Sequence, residues 1–269
     1  MAGQDSVFAG SIPEIYDRYL GPLIFADYAD DLAQRIAAAT PSRVLETAAG
    51  TGMVTRAMAR VLPAAVEIIA TDLNQPMLDY AAAQPGVGRV TWRQADAQAL
   101  PFPDGLFDVV VCQFGVMFFP DRATGYREAW RVLRPGGRFL FSVWDRIEEN
   151  EVTDLVTAAV AALFPDDPPR FLARTPHGYH DRAAIADAVR QVGFSRVETE
   201  TVARRSRAAS PRDPAIGFCQ GTPLRGEIDA RGTGRLEEAT DVAAGAVAAR
   251  FGSGPIDGKI QAHVFTAFV

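Results

Sequence analysis

A run of β-branched and apolar residues that ends in a carboxylate, turns through Gly-Thr-Gly and opens directly into a helical pattern constrains this chain more than any other feature. The window is Arg43-Val44-Leu45-Glu46-Thr47-Ala48-Ala49-Gly50-Thr51-Gly52, followed by Met53-Val54-Thr55-Arg56-Ala57-Met58. Glycines let the backbone approach a ligand closely, and a helix N-terminus directs N–H groups toward it. A carboxylate at the strand end accepts hydrogen bonds from ammonium or hydroxyl groups. The window therefore points to a nucleoside-containing cofactor bound at the edge of an α/β sheet.

The surrounding rhythm agrees. Strands are predicted at Arg43–Thr47, Val66–Thr71, Arg89–Gln94, Phe107–Gln113 and Arg138–Trp144, with helices at Met53–Leu62, Gln75–Ala83 and Arg122–Leu133 between them. Such alternation implies right-handed βαβ crossovers and a largely parallel sheet. Arg134-Pro135-Gly136-Gly137 reads as a stop before a new strand. Upstream, residues 1–12 read as a polar start. Helical spacing covers Pro13–Leu20 and Ala26–Ala39, separated by Gly21-Pro22. Downstream, helix is predicted over Glu148–Phe164 and from Asp181, near an N-cap, to Val192 before Gly193. A strand is expected at Arg196–Ala203, mostly helix with a glycine-rich break from Pro211 to Arg250, and a final strand at His263–Val269.

Composition removes several classes. Apolar residues make up 48% of the 269 positions, enough for a sizeable core. A formal charge of −6 argues against a dedicated nucleic-acid binder. No stretch reaches the ~18 apolar residues of a membrane span, since the longest run, Val109 to Phe119, is broken by Gln113. The N-terminus lacks the basic-then-apolar order of a secretory signal. With only Cys112 and Cys219, a cytoplasmic protein with free thiols is expected. No cluster has metal-ligand spacing.

Three acids recur at the carboxyl ends of successive predicted strands: Glu46, Asp72 and Asp96. Strand ends line the ligand crevice of an open parallel sheet. Asp72 falls where a carboxylate takes both hydroxyls of a ribose, and Asp96 one strand further out, where an adenine edge would lie. Each acid alone equally suits a helix cap; three in register beside a glycine turn favour the ligand. A dinucleotide fingerprint would need a third glycine, which Gly50-Thr51-Gly52-Met53-Val54-Thr55 lacks. Glu46 would also repel a pyrophosphate, whereas it suits an ammonium-bearing cofactor.

With these motifs in view, the chain resembles the class I S-adenosylmethionine-dependent methyltransferases, in the subgroup similar to the quinone-biosynthesis C-methyltransferases. The matching segments are Val44–Gly52, Ala70-Thr71-Asp72-Leu73-Asn74, Gln94–Phe102, Phe107–Gln113 and Leu133–Gly137, in the family's order across about residues 40–145. The resemblance implies an α/β, Rossmann-like class I methyltransferase fold, with a mostly parallel seven-stranded sheet flanked by helices. It implies a single domain over 1–269, with N-terminal lid helices (1–40), a cofactor-binding core (41–145), and substrate-cap helices and final strands (146–269). S-adenosyl-L-methionine would be the cofactor and S-adenosyl-L-homocysteine the product.

By position, Glu46 and the Gly50, Thr51 and Gly52 backbone would hold the methionine moiety and Asp72 the ribose hydroxyls. Leu73 and Met77 would pack near ribose and adenine, Asp96 with the Ala97 N–H would read the adenine edge, and Gln113 would lie near the reaction site. Glu46 is longer than the family's commoner aspartate. Ala48, also at the cofactor turn, replaces a usual glycine and must adopt a backbone conformation an L-residue tolerates. Tyr16, Tyr19, Phe25 and Tyr28, with Arg18, suit either a lid or plain core. Phe114, Met117, Phe118 and Phe119 follow the fourth strand, where the family shapes its substrate pocket, and core packing suits them as well. His177, His180 and His263 are the obvious near-neutral bases. His177 and His180 precede a helix in the cap region, where a base or a capping role is open to them.

Methyl transfer from a sulfonium is an in-line SN2 displacement that needs alignment and exclusion of water more than a triad. The expected activity is methylation of a small, partly apolar acceptor at O, C or N. A protein that keeps the fold and cofactor without methylating, such as a cyclase or binding module in secondary metabolism, is the alternative. The acceptor is not legible, and the oligomeric state is open, a homodimer included.

Overall fold

The computed structural model describes Gly10 and residues 12–269, so the expected polar start lies almost wholly outside the described residues. The chain divides into two compact units. A sheet unit comprises Asp27–Val143, His180–Val202 and Ala262–Val269, and a helical unit comprises Met1–Ala26, Trp144–Tyr179 and Ala203–Gln261. The strands are β1 (Arg43–Glu46), β2 (Glu67–Asp72), β3 (Val90–Gln94), β4 (Phe107–Gln113), β5 (Leu133–Trp144), β6 (Arg196–Ala208) and β7 (Ile256–Phe268). The helices are α1 (Ile12–Ile15), α2 (Ala26–Ala37), α3 (Met53–Val61), α4 (Gln75–Ala82), α5 (Arg122–Val132), α6 (Glu151–Leu163), α7 (Phe171–Arg174), α8 (Arg182–Gln191), α9 (Arg212–Gln220), α10 (Leu224–Asp229) and α11 (Arg235–Phe251).

All seven strands form one sheet in the order β3-β2-β1-β4-β5-β7-β6. The ladders joining β3, β2, β1, β4 and β5 are parallel. Strand β7 runs against β5: the Val269 N–H donates to the Gly137 carbonyl, while eight residues further along β5 the Asp145 N–H donates to Gln261. This is the mostly parallel seven-stranded sheet of the sequence reading. Val109, Val110, Val111 and Cys112 of β4 are all at most 1% exposed, as expected of a central strand covered on both faces. Phe139 and Phe141, two apart on β5, share a face. Phe141 stacks on Phe265 of β7 at 4.6 Å and lies 5.6 Å from Tyr126 of α5. Such aromatic pairs contribute roughly 0.5–1.5 kcal/mol each beyond their burial. In the helical unit, α11 packs along α6 and α9.

Three local expectations change. Gly21-Pro22 does not separate two helices: Tyr16–Phe25 is a π-helical stretch joining α1 to α2, and the Ala26 N–H reaches back five residues to Gly21. Pro22 has no N–H to donate, and the wider turn absorbs that loss without ending the helix. Arg134-Pro135-Gly136-Gly137 does not precede β5 but lies inside it. Gly136 has φ +77°, and the register with β4 jumps from Phe107–Leu133 to Val109–Arg138, a bulge rather than a stop. Strand β7 begins at Ile256, earlier than the expected His263, and β6 extends to Ala208.

Candidate functional site

The chain leaves β1 for β2 and β3 on one side, then returns to place β4 and β5 on the other. Strand order therefore reverses between β1 and β4, and in an open α/β sheet the carboxyl ends diverge there into a crevice. Glu46, Asp72 and Gln113 are the last residues of β1, β2 and β4, and Asp96 lies two residues beyond β3. All four belong to the sheet unit.

The glycine turn is tied to its neighbours on both sides. The Thr47 N–H donates to Val111, the Ala49 N–H to Thr71 and the Gly52 N–H to Ala49, each at 2.9 Å. Asp72, 6% exposed, accepts the Gly50 N–H on Oδ2 and the Asn74 N–H on Oδ1, both at 2.8 Å. It thus ties the turn to the residue that precedes α4 without capping that helix, whose N-cap is Asn74. The Asn74 side-chain amide also donates to Oδ1, at 3.4 Å; with about four lone-pair directions on a carboxylate, the remaining acceptor capacity lies on Oδ2. Asp96 does not cap a helix: its Oδ1 accepts the Gln98 N–H at 2.8 Å in a local turn. The following loop is clamped by Arg131, which donates to the carbonyls of Leu100 at 3.0 Å and Phe102 at 2.8 Å and pairs with Glu128.

Glu46 departs from the simple picture of a standing negative charge. It is 1% exposed, and burial pushes its carboxyl up to about 8. The Thr55 hydroxyl, which donates to Glu46 Oε2 at 2.5 Å, opposes that shift; the neighbouring Asp72 adds to it, and Arg56 weakly counters it. Burial also raises Asp72 from its ordinary value, against the N–H bonds from Asn74 and Gly50. In the free protein near neutrality, Glu46 is therefore mostly a neutral acid, because burial costs the charge more than Thr55 and Arg56 return.

Ala48 has φ +52°, a left-handed conformation that costs an L-residue roughly 1–2 kcal/mol. Position 48 thus falls in the left-handed region, which an alanine tolerates at that cost. Phe114, directly after β4, also has φ +52°. Strained backbone at the ends of the two strands flanking the switch point is characteristic of functional sites. The two turns interlock: a Cβ on Gly115 would lie 2.6 Å from both Ala48 Cβ and Cys112 Sγ, so only glycine fits.

The other expected residues divide between the units. Leu73 is 50% exposed beside Asp72, and Met77 is buried on α4. Ala97 and Gln113 are half-buried, Met117 is buried, and Phe114 meets Tyr28 edge-on at 5.4 Å. Phe118 ends a short 3-10 turn after β4. Tyr16 and Tyr19 belong to the helical unit, where Tyr16 stacks on Phe25 at 4.9 Å and the Arg18 guanidinium lies 5.2 Å over the Tyr19 ring. His177, in the same unit, is buried against Trp144, and its Nδ1–H donates to the Asp145 carbonyl at 2.8 Å. His180 lies in the sheet unit just before α8 and is half-buried. His263 is buried, with Nδ1 3.0 Å from Thr201 Oγ1. Among the described residues no group of His, Cys, Asp or Glu could hold a metal ion.

Sequence reasoning missed Thr55, Asn74, Gly115 and Ser142. Gly115 alone carried a signal, as a glycine next to a strand end. The hydroxyls of Thr51 and Ser142 are buried without a hydrogen-bond partner, both near strand ends of the crevice. Buried polar atoms are rarely left so, and a ligand at the crevice is one way to satisfy them.

Residues 45–141 match the family described as Methyltransferase domain. A ubiquinone/menaquinone biosynthesis C-methyltransferase UbiE from Marinomonas sp. is 31% identical over 172 residues, covering 59% of this chain and 68% of the relative. The phosphoethanolamine N-methyltransferase 2 of Haemonchus contortus, solved with phosphomonomethylethanolamine and S-adenosylhomocysteine, superposes with a TM-score of 0.58 at 15% identity, over 95% of this chain and 57% of that one. The [4+2]-cyclase SpnF superposes with a TM-score of 0.55 at 21% identity, over 88% of this chain and 80% of that one. At these identities the two structures speak for the fold alone.

Proposed function

We infer the acceptor and the roles of the site residues from one premise: the chain belongs to the S-adenosylmethionine-dependent methyltransferase family. The crevice fits that cofactor. Gly50 has φ +55°, with open space where a Cβ would stand, so the turn leaves room for a ligand against its backbone. The unpartnered Thr51 hydroxyl and the exposed apolar face of Leu73 beside Asp72 are further features that a nucleoside with a polar tail would satisfy.

In this reading Glu46 and the backbone of Gly50, Thr51 and Gly52 would hold the amino-acid end of the cofactor. Asp72 would take the ribose hydroxyls on its remaining acceptor capacity, Leu73 and Met77 would pack the nucleoside, and Asp96 with the Ala97 N–H would read the adenine. Ala48 would shape the turn, and Gln113 would stand near the reacting end. When bound, S-adenosylmethionine supplies an electrophilic methyl group on a sulfonium, open to in-line displacement. The protein's part is then to align a nucleophile and exclude water. Phe114, Met117 and Phe118 would give the acceptor an apolar wall. A base is needed only for an acceptor that arrives protonated, and His180 or His177 would serve there. His177 already donates from Nδ1, which directs its basicity to Nε2.

The acceptor we propose is a small, partly apolar organic molecule, and an electron-rich hydroxylated ring methylated at carbon is its most concrete form. That form is supported by the name of the Marinomonas relative and by the apolar residues after β4. Nucleic acid is disfavoured by the charge of −6. Among the described residues no helix is long and apolar enough to cross a membrane. Cytoplasmic placement is supported by two buried, free cysteines. The fold is shared with a cyclase, but the C-methyltransferase relative favours methyl transfer over that alternative. The test is release of S-adenosylhomocysteine against a panel of phenolic, quinol, amine and hydroxy acceptors. Turnover on a ring acceptor with a new carbon–methyl bond is expected. Tight cofactor binding with no turnover on any acceptor would overturn the proposal in favour of the cyclase or binding-module alternative.

A further inference from the structure

The Thr55 side chain spends its hydroxyl differently from two other threonines in this protein's helices. A helical threonine can return its hydroxyl to the carbonyl four residues back. Thr157 does so to Thr153 at 2.7 Å, and Thr240 to Leu236 at 2.8 Å. For Thr55 that carbonyl belongs to Thr51, where the Arg56 guanidinium donates at 2.7 Å. The Thr55 hydroxyl instead points to Glu46 Oε2 at 2.5 Å, and both side chains are closed off from solvent, at 0% and 1% exposure. Arg56 thus shares in satisfying the Thr51 carbonyl, and the Thr55 hydroxyl goes to the strand-end carboxyl.

We propose that Thr55 is a positioning residue for the cofactor's ammonium end, its hydroxyl holding the Glu46 carboxyl with the second oxygen turned to the crevice. The proposal rests on the reading of Glu46 as the acceptor for that end. The titratable and charged groups around Glu46 are few. Asp72 faces it from β2, Arg56 from α3 and the Cys112 thiol from β4, the last pushed up to about 12 by burial. Of the influences favouring the ionised form of Glu46, the Thr55 hydrogen bond is the largest. A neutral acid cannot pair with an ammonium group, so binding near neutrality must expel the Glu46 proton into buffer. Thr55 lowers the cost of that loss, because its hydroxyl donates and a carboxylate accepts more strongly than a carboxylic acid.

The experiment is calorimetric titration of the whole protein with S-adenosylhomocysteine between about pH 6 and pH 8.5, in buffers of different ionisation heat, for wild type, Thr55→Val, Thr55→Ser and Glu46→Gln. Wild type is expected to release close to one proton at about pH 6.5 and to bind more tightly as pH rises toward 8. Thr55→Val should displace that profile to higher pH, weakening binding about tenfold near pH 7 and less at pH 8.5. Thr55→Ser should restore the wild-type profile. A uniform loss at every pH, an unchanged Thr55→Val profile, or no proton release by wild type would each overturn the proposal; the last decides the matter even if Thr55→Val does not fold. If Glu46→Gln binds as wild type does at neutral pH, the reading of Glu46 fails instead. If Glu46→Gln weakens binding and Thr55→Val leaves it untouched, only the role of Thr55 fails.

Discussion

Raising the pH through the neutral range should destabilise the free protein through one buried group, and the slope can be worked from the structure. Glu46 is 1% exposed, and its carboxyl is pushed from an ordinary 4.5 up to about 8 by burial. In the unfolded chain the same group loses its proton near 4.5. Between those values the folded state holds a proton that the unfolded state does not. Stability from Glu46 is then fully present below the unfolded value and is lost as pH rises through the folded one. One proton corresponds to about 1.4 kcal/mol per pH unit, so the loss between about pH 6 and pH 8 is roughly 2–3 kcal/mol. Glu46→Gln, which keeps the shape and an oxygen for Thr55, should flatten that part of the curve. Asp72 is raised by burial too and stays in both proteins, so the difference between the two curves reports Glu46 together with its coupling to Asp72. The assay is urea denaturation followed by circular dichroism at a series of pH values. Parallel curves for wild type and Glu46→Gln would refute the reasoning. Saturating S-adenosylhomocysteine should shrink the wild-type slope, because binding favours the ionised carboxylate.

The other expectations concern single contacts. Asp72→Ala removes the acceptor of the Gly50 and Asn74 N–H groups, and it should weaken S-adenosylhomocysteine binding by roughly 1.5–3 kcal/mol, about 10- to 150-fold, read by calorimetry on folded protein. Unchanged affinity would remove Asp72 from the ribose site. Gly115→Ala forces a Cβ to 2.6 Å from Ala48 Cβ and Cys112 Sγ, and should lower stability by roughly 1–3 kcal/mol in urea titration; a neutral result would mean that the two turns are not interlocked. Leu73→Ser alters a half-exposed side chain. It should change unfolding stability by about 0.5 kcal/mol or less while weakening cofactor binding about fivefold, the scale of burying that remaining apolar surface.

Much of the sheet was legible because its signals are local. β4 was read to the residue at Phe107–Gln113, and β1, β2 and β3 to within one residue at each end. Apolar runs punctuated by glycine and acids record strand, turn and helix within a few positions of chain. The Asp181 N-cap was equally local: its carboxylate accepts the Ala183 and Ala184 N–H groups. Breaker residues misled where the fold could absorb them. Pro22 sits inside a widened helical turn, and Gly136 inside a bulged strand. Both signal that regular hydrogen bonding is interrupted, and neither says whether the element ends.

The sequence by itself determined the order of elements, the glycine turn, the acids at strand ends and hence the family. Each is written in a few adjacent residues, or in a spacing that backbone geometry converts directly into place. Only the tertiary structure decided that Glu46 is buried and mostly neutral in the free protein, that Thr55 turns from its own helix to hold it, and that Ala48 and Phe114 are driven into left-handed backbone just beyond the ends of neighbouring strands. Those outcomes depend on which strands become neighbours and on what water is excluded. Charge and strain are set by surroundings assembled from distant parts of the chain.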